Sequence, residues 1–214
     1  KEMRTRAEGS VRLKHLGTRL KVGFENVSHY THFAMVTTRV NTENAASNLP
    51  TDFSNAVEVR QTAGSVQVFS AAIAQDFKLG PVHWESEVTY QKSSSESVLP
   101  LPALNVYTNL YLLFRVAKVL RVQLGGDMRY FTSYYAPEWT PCIQQFAVQD
   151  DSSEKLKIGN YPVINVYANL HIKHCRLYVA VNHVNAGTGR SYQSPHYPLN
   201  PFTIHFGVSW NFFN

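Results

Sequence analysis

Large apolar side chains occupy every second position near the end of the chain, at Phe202, Ile204, Phe206, Val208, Trp210 and Phe212. Thr203, His205, Gly207, Ser209 and Asn211 fall between them. Successive side chains of a β-strand point to opposite sides, so strict alternation predicts a strand that separates two environments. Core and water would satisfy it, and so would lipid and a wet lumen.

The same period recurs upstream. "LNVYTNLYLLFRV" sets Leu104, Val106, Leu110, Leu112, Phe114 and Val116 against Asn105, Tyr107, Asn109, Tyr111 and Arg115. "LRVQLGGDMRYFTSYY" sets Leu120, Val122, Leu124, Met128 and Tyr130 against Arg121, Gln123, Asp127 and Arg129. "YPVINVYANLHIK" opposes Ile164, Val166, Ala168, Leu170 and Ile172 to Asn165, Tyr167, Asn169, His171 and Lys173. "CRLYVAVNH" opposes Leu177, Val179 and Val181 to Arg176, Tyr178 and Asn182. Residues 81–92, 18–26 and 6–15 alternate in the same way, and residues 68–80 do so least cleanly. Nine strands are predicted, and no helical period competes with them.

Their connections alternate too. Short turns are predicted near Leu16–Gly17, Gly80–Pro81, Lys118–Val119 and His174–Cys175. Long polar links fall between them, at residues 34–55, 93–102, 136–160 and 187–200. Tight turns on one side and longer loops on the other are the pattern of an antiparallel transmembrane barrel. Aromatic residues agree: Tyr30, Phe33, Tyr130, Tyr134, Tyr135 and Trp139 gather near the long links, with Trp210 and Phe212 at the opposite end, where amphipathic rings mark membrane interfaces. The predicted fold is all-β: an antiparallel transmembrane β-barrel, of which this chain supplies about nine strands.

Composition removes several other readings. The formal charge of the 214 residues is +5. The basic residues are spread along the strands rather than clustered, so no nucleic-acid partner is predicted. The best helical span, 110–120, is broken by Arg115 and Lys118 and falls far short of about 20 apolar residues. His29 and His32, and likewise His171 and His174, are three apart, a spacing that diverges on a strand, so no metal site is predicted. "NAGTGR" at 185–190 lacks the Lys-Ser/Thr of a phosphate cradle. No nucleophile setting such as G-x-S-x-G occurs, so no catalytic residue and no cofactor is predicted. "SSSES" at 93–97 reads as a polar loop. Cys142 falls in a long link and Cys175 at a short turn, too far apart for a disulfide.

The phrases "GNYPVINVYANLHIKHCRLYVAVNHVNAG", "PHYPLNPFTIHFGVSWNF", "YQKSSSESVLPLPALNVYTNLY" and "QLGGDMRYFTSYYAPEWTP" resemble the C-terminal part of the putative porins of Bacteroidota. The resemblance covers most of residues 60–214. It implies a bacterial outer-membrane β-barrel that passes small solutes and has no active site. Two features depart from the pattern: His174–Cys175 at a tight turn, and a tail, Phe213–Asn214, that does not end on an aromatic residue.

On this reading, the polar stripe lines the lumen with Arg115, Arg121, Asp127, Arg129, Asn165, Asn169, Lys173 and Arg176. The apolar stripe, with Leu112, Leu170, Ile172, Val179, Phe206, Val208, Trp210 and Phe212, faces outer-membrane lipid. Residues 1–214 form the C-terminal part of one barrel domain. Nine strands, an odd number, predict further strands from upstream or from another chain. If residues 3–15 lay outside the membrane, the other eight could close alone around a side-chain-filled interior. A non-conducting barrel serving as scaffold for other outer-membrane proteins is the alternative function.

Overall fold

A computed structural model describes residues 1–39, 53–149, 155–189 and 192–212. The described residues form fifteen strands: β1 (Met3–Leu13), β2 (Thr18–Ser28), β3 (Thr31–Arg39), β4 (Phe53–Gln61), β5 (Ser65–Leu79), β6 (Val82–Ser93), β7 (Leu104–Val116), β8 (Leu120–Phe131), β9 (Glu138–Thr140), β10 (Gln145–Ala147), β11 (Val163–Ile172), β12 (Cys175–Asn182), β13 (Tyr192–Ser194), β14 (Tyr197–Pro198) and β15 (Thr203–Trp210). Nine of them form one antiparallel meander in the order β1-β2-β5-β6-β7-β8-β11-β12-β15. These are the nine alternating segments of the sequence.

Residues 3–15 belong to this sheet. β1 is paired with β2 along its whole length, from Met3 opposite Ser28 to Leu13 opposite Thr18. The second neighbour of β2 is β5, and β15 is paired with β12. Closure of eight strands by pairing β15 to residues 18–33 is therefore not the observed arrangement. The sheet is open, with β1 and β15 at its two edges.

An antiparallel meander puts successive connections at opposite ends. Here the four short ones (14–17, 80–81, 117–119 and 173–174) share one end, and the four long ones share the other. The tight turns rely on left-handed backbone. Ala117 and Lys118 take φ of 49° and 62°, Lys173 takes 46°, and Gly17 takes 66°. Only glycine suits position 17, because an added Cβ would lie 2.1 Å from the Asp76 carbonyl oxygen.

The long links are more structured than their polarity predicts. β3 and β4 form a hairpin that overlaps both ends of the segment read as a link, 34–55, and continues past β2 and β5 through bonds such as His29 N–H to the Gly64 carbonyl. β9 pairs with β10 and β13 with β14. Val148 exchanges backbone bonds with Phe33 and Met35, tying the hairpin to the β9–β10 segment. The tail Phe213–Asn214 lies outside the described residues.

Side-chain burial is inverted relative to a soluble sandwich. Among the described residues, most of the deeply buried side chains belong to the long links: Ala34, Ala136, Ala147, Ile158, Tyr161 and Pro195. The sheet contributes little beyond Val27, Val66 and Val122. Every residue of β1 is exposed.

Candidate functional site

Strand register places the polar stripes of all nine strands on one face. Asp76, Glu85, Asn109, Asp127 and Asn165 stand directly opposite one another across β5, β6, β7, β8 and β11. This row is hydrogen-bonded. Asn109 Nδ2 donates to Glu85 (3.4 Å), and Asn165 Nδ2 donates to Asp127 (3.0 Å). The Tyr111 and Tyr167 hydroxyls donate to Glu85 and Asn109, each at 2.9 Å. At the end of β12, His183 N–H donates to Asn165 Oδ1.

The tyrosines find room because glycines face them. Gly125 stands between Tyr111 and Tyr167, and an added Cβ would lie 2.6 Å from Tyr111 Cβ and 2.8 Å from the Tyr167 hydroxyl. Gly207 faces Tyr178 in the same manner. A glycine covered by an aromatic ring on the next strand lets the sheet bend there while leaving no hole. Pattern reading placed the tyrosines and Gly207 on the polar stripe but passed over Gly125 and the pairing of ring with glycine; the in-strand pair Gly125–Gly126 was the available signal.

Nearer the short turns the same face becomes basic. Arg115 is opposite Arg121, Arg121 opposite His171, and His171 opposite Arg176. Arg12 and Arg19 face each other at the β1–β2 turn. Toward the long links, Arg129 lies over the Tyr107 ring at 5.7 Å. Arg4 pairs with Glu25 at 2.6 Å, and Glu8 accepts from Arg6 and Lys21. Of the residues predicted to share the polar face, Arg115, Arg121, Asp127, Arg129, Asn165, Asn169 and Arg176 stand on it by register, whereas Lys173 sits in the tight turn.

The opposite face is apolar and uncovered. Leu112, Ile172, Val179, Phe206, Val208, Trp210 and Phe212 are exposed, Phe206 at 80% and Val208 at 65%, while Leu170 is half-buried between Val122 and Leu177. The apolar stretches of the first strands, including Val11, Leu20 and Phe24, are exposed likewise. Soluble monomers rarely leave contiguous apolar surface beyond a few hundred Å².

A cavity of about 1030 Å³ on the polar face touches Glu87 on β6, Tyr107 on β7, Arg129 on β8, Asn165 on β11, Asn182 on β12 and His205 on β15. Its walls therefore come from the polar face of six adjacent strands. Tyr192, Gln193 and residues 199–201 close part of the cavity from the long-link end. That segment is pinned by buried His183. Its Nδ1–H donates to the Asn200 carbonyl (2.7 Å), and its Nε2 lies 2.8 Å from the Tyr161 hydroxyl, which itself donates to the Asn185 carbonyl (2.7 Å). Gln149 clamps the neighbouring link, donating to the Ala136 and Leu156 carbonyls and accepting from Leu156 N–H. In the hairpin, burial pushes the His32 imidazole below its ordinary value, and Nδ1 has no partner among the described residues.

No helix is long and apolar enough to cross a membrane, and no group of three or more metal-ligating side chains occurs among the described residues. Cys142 and Cys175 are both free. The family model described as "Putative porin" matches residues 1–214. No curated protein and no solved structure matches the chain.

Proposed function

The chain belongs to the putative porin family across residues 1–214, and from that premise we propose that its sheet is part of an outer-membrane β-barrel through which small solutes diffuse. One observation carries the reading. Nine adjacent strands present an uncovered apolar face on one side and, on the other, a polar face with a hydrogen-bonded row and a cavity lined by six of the strands. A backbone N–H left unpaired in hydrocarbon costs several kcal/mol, so a spanning sheet must close. In this reading residues 1–214 belong to a single barrel domain, and further strands, from the same protein or another chain, join β15 to β1.

The faces then acquire roles. Arg115, Arg121, Asp127, Arg129, Asn165, Asn169 and Arg176 line the lumen, and Lys173 sits at its periplasmic rim. Leu112, Leu170, Ile172, Val179, Phe206, Val208, Trp210 and Phe212 contact lipid, with Trp210 and Phe212 near one interface. Diffusion through such a lumen needs no catalytic group. The test is conductance of the complete protein in a planar bilayer: stable ohmic steps are expected in potassium chloride.

A second reading has its own support. Residues 192–201 hang over the cavity, held there by His183 and by the Ser194–Trp139 contact. A lumen plugged by that segment would make the barrel a scaffold for other outer-membrane proteins. Absence of any conductance, in protein shown to be inserted, would favour it over the pore.

A further inference from the structure

We infer that the basic row near the short turns is a binding site for the phosphate group of small anionic solutes, an inference that rests on the diffusion-pore reading. The row consists of Arg115, Arg121, His171 and Arg176, in direct register on β7, β8, β11 and β12. Like charges directly opposite one another on adjacent strands are destabilising. Acids on the same face do not relieve them. Asp76, Glu85 and Asp127 stand together in a separate row closer to the long links. Among the described residues, neither Arg115, Arg121 nor Arg176 has a carboxylate within ion-pair distance. On β1 and β2, Arg4, Arg6 and Lys21 each have a Glu, whereas Arg12 and Arg19 face each other near the turn.

The row also has a shape. A cavity of about 440 Å³ lies over three of its four members, Arg121, His171 and Arg176, with Tyr111, Gln123 and Asn169 also in its lining; Arg115 stands outside it. Arg176 donates to Asn169 Oδ1 (3.2 Å), and Asn169 Nδ2 donates to Gln123 Oε1 (3.3 Å). This relay holds one guanidinium at the cavity while leaving its other N–H groups free to donate. Arg121 approaches the same space from the other side of β11. Two planar forks converging from either side match an anion with several equivalent oxygens, which chloride lacks. A phosphate dianion would neutralise the row and accept from both forks. The weaker donors Gln123 and His171 can hand it along the wall without holding it fast. A conducting site must bind strongly enough to admit an ion and weakly enough to release it.

The test is calorimetric titration of inorganic phosphate into the complete protein in a phosphate-free detergent. Saturable binding is expected, weakened roughly tenfold by Arg121→Gln or Arg176→Gln, since each removes a charge-assisted hydrogen bond. Lys21→Gln, which removes a cation already paired with Glu8, should bind as the wild type does. Absence of saturable binding, or equal binding in the Gln variants, would overturn the site. Binding of phosphatidic acid in mixed micelles without binding of inorganic phosphate would overturn it too, because the ligand would then be a lipid headgroup. Heat-modified gel mobility verifies that each variant is folded. The measurement is independent of conductance. Channels that conduct but do not bind phosphate end this inference and leave the pore, whereas phosphate binding without conductance keeps the site and removes the pore.

Discussion

Phe206 offers the sharpest energetic test of which environment meets the apolar face. It is the fourth of eight residues in β15 and is 80% exposed. Eight residues rise roughly 26 Å, comparable with the apolar band of a barrel, so in the proposed barrel Phe206 would lie near the bilayer midplane. Arginine at the midplane costs about 2–4 kcal/mol, and losing the transfer free energy of the ring adds about 1.5–3 kcal/mol. Phe206→Arg should therefore destabilise the inserted protein by about 3.5–7 kcal/mol. If the face met water instead, arginine would replace an exposed ring and the change would stay within about 0.5 kcal/mol. His205→Arg, one residue away on the polar face, is the control and should stay within about 0.5 kcal/mol. Urea titration of the complete protein folded into lipid vesicles reads both variants. A cost for Phe206→Arg no larger than that of His205→Arg would refute the reasoning.

Three further outcomes follow from the geometry. Gly125→Val should destabilise by about 1–3 kcal/mol in the same titration, because its Cβ meets Tyr111 Cβ and the Leu110 carbonyl, neither of which can move aside. Gly207→Ala should cost less, since the atoms it meets are the movable end of the Tyr178 ring; equal costs would contradict this account of the glycines. The His32 imidazole has its value lowered by burial from an ordinary 6.5, so the unfolded hairpin binds the proton more readily. The hairpin's stability is therefore full above that value and falls as the pH drops toward the lowered one. Hydrogen exchange across Thr31–Val36, corrected for intrinsic rates, should quicken between pH 7.5 and 5.5 more than it does in His32→Gln; an equal response would sink the assignment. Reversal potentials in a salt gradient should show anion preference that diminishes in Arg121→Gln, and clear cation selectivity of the wild type would contradict a lumen lined by the basic row.

The nine sheet strands were legible because each divides two environments, and a period of two survives whatever the strand's neighbours are. The tight turns were legible for the related reason that each interrupts that period within a few residues. β3 and β4 were not. Phe33, Ala34, Met35 and Val36 are apolar in succession, so "THFAMVTTR" carries no clean alternation. Its pairing partner lies across a polar segment that reads as a loop. β9, β10, β13 and β14 are two or three residues long and exist only through contacts among the links. Individual members of the polar face could be named from sequence, but its organisation could not. The contact of Gly125 with Tyr111 and Tyr167, and the alignment of Arg121 with Arg115 and His171, depend on register between strands. The inward segment 192–201 was missed because its anchor, His183, resembles any histidine at a strand end until Tyr161 and Asn200 are seen beside it.

The central claim is that the apolar side of this sheet lies in lipid and the polar side in water. It is tested most directly by spin labels placed singly along β15, at each position from Thr203 to Trp210 except Gly207, in the complete protein carrying Cys142→Ser and Cys175→Ser. In bilayers, collision with dissolved oxygen reports lipid, and collision with a water-soluble nickel chelate reports water. Oxygen accessibility should peak at 204, 206, 208 and 210, with the nickel chelate peaking at 203, 205 and 209. Two profiles that rise and fall together, or nickel access at 206 and 208, would contradict it.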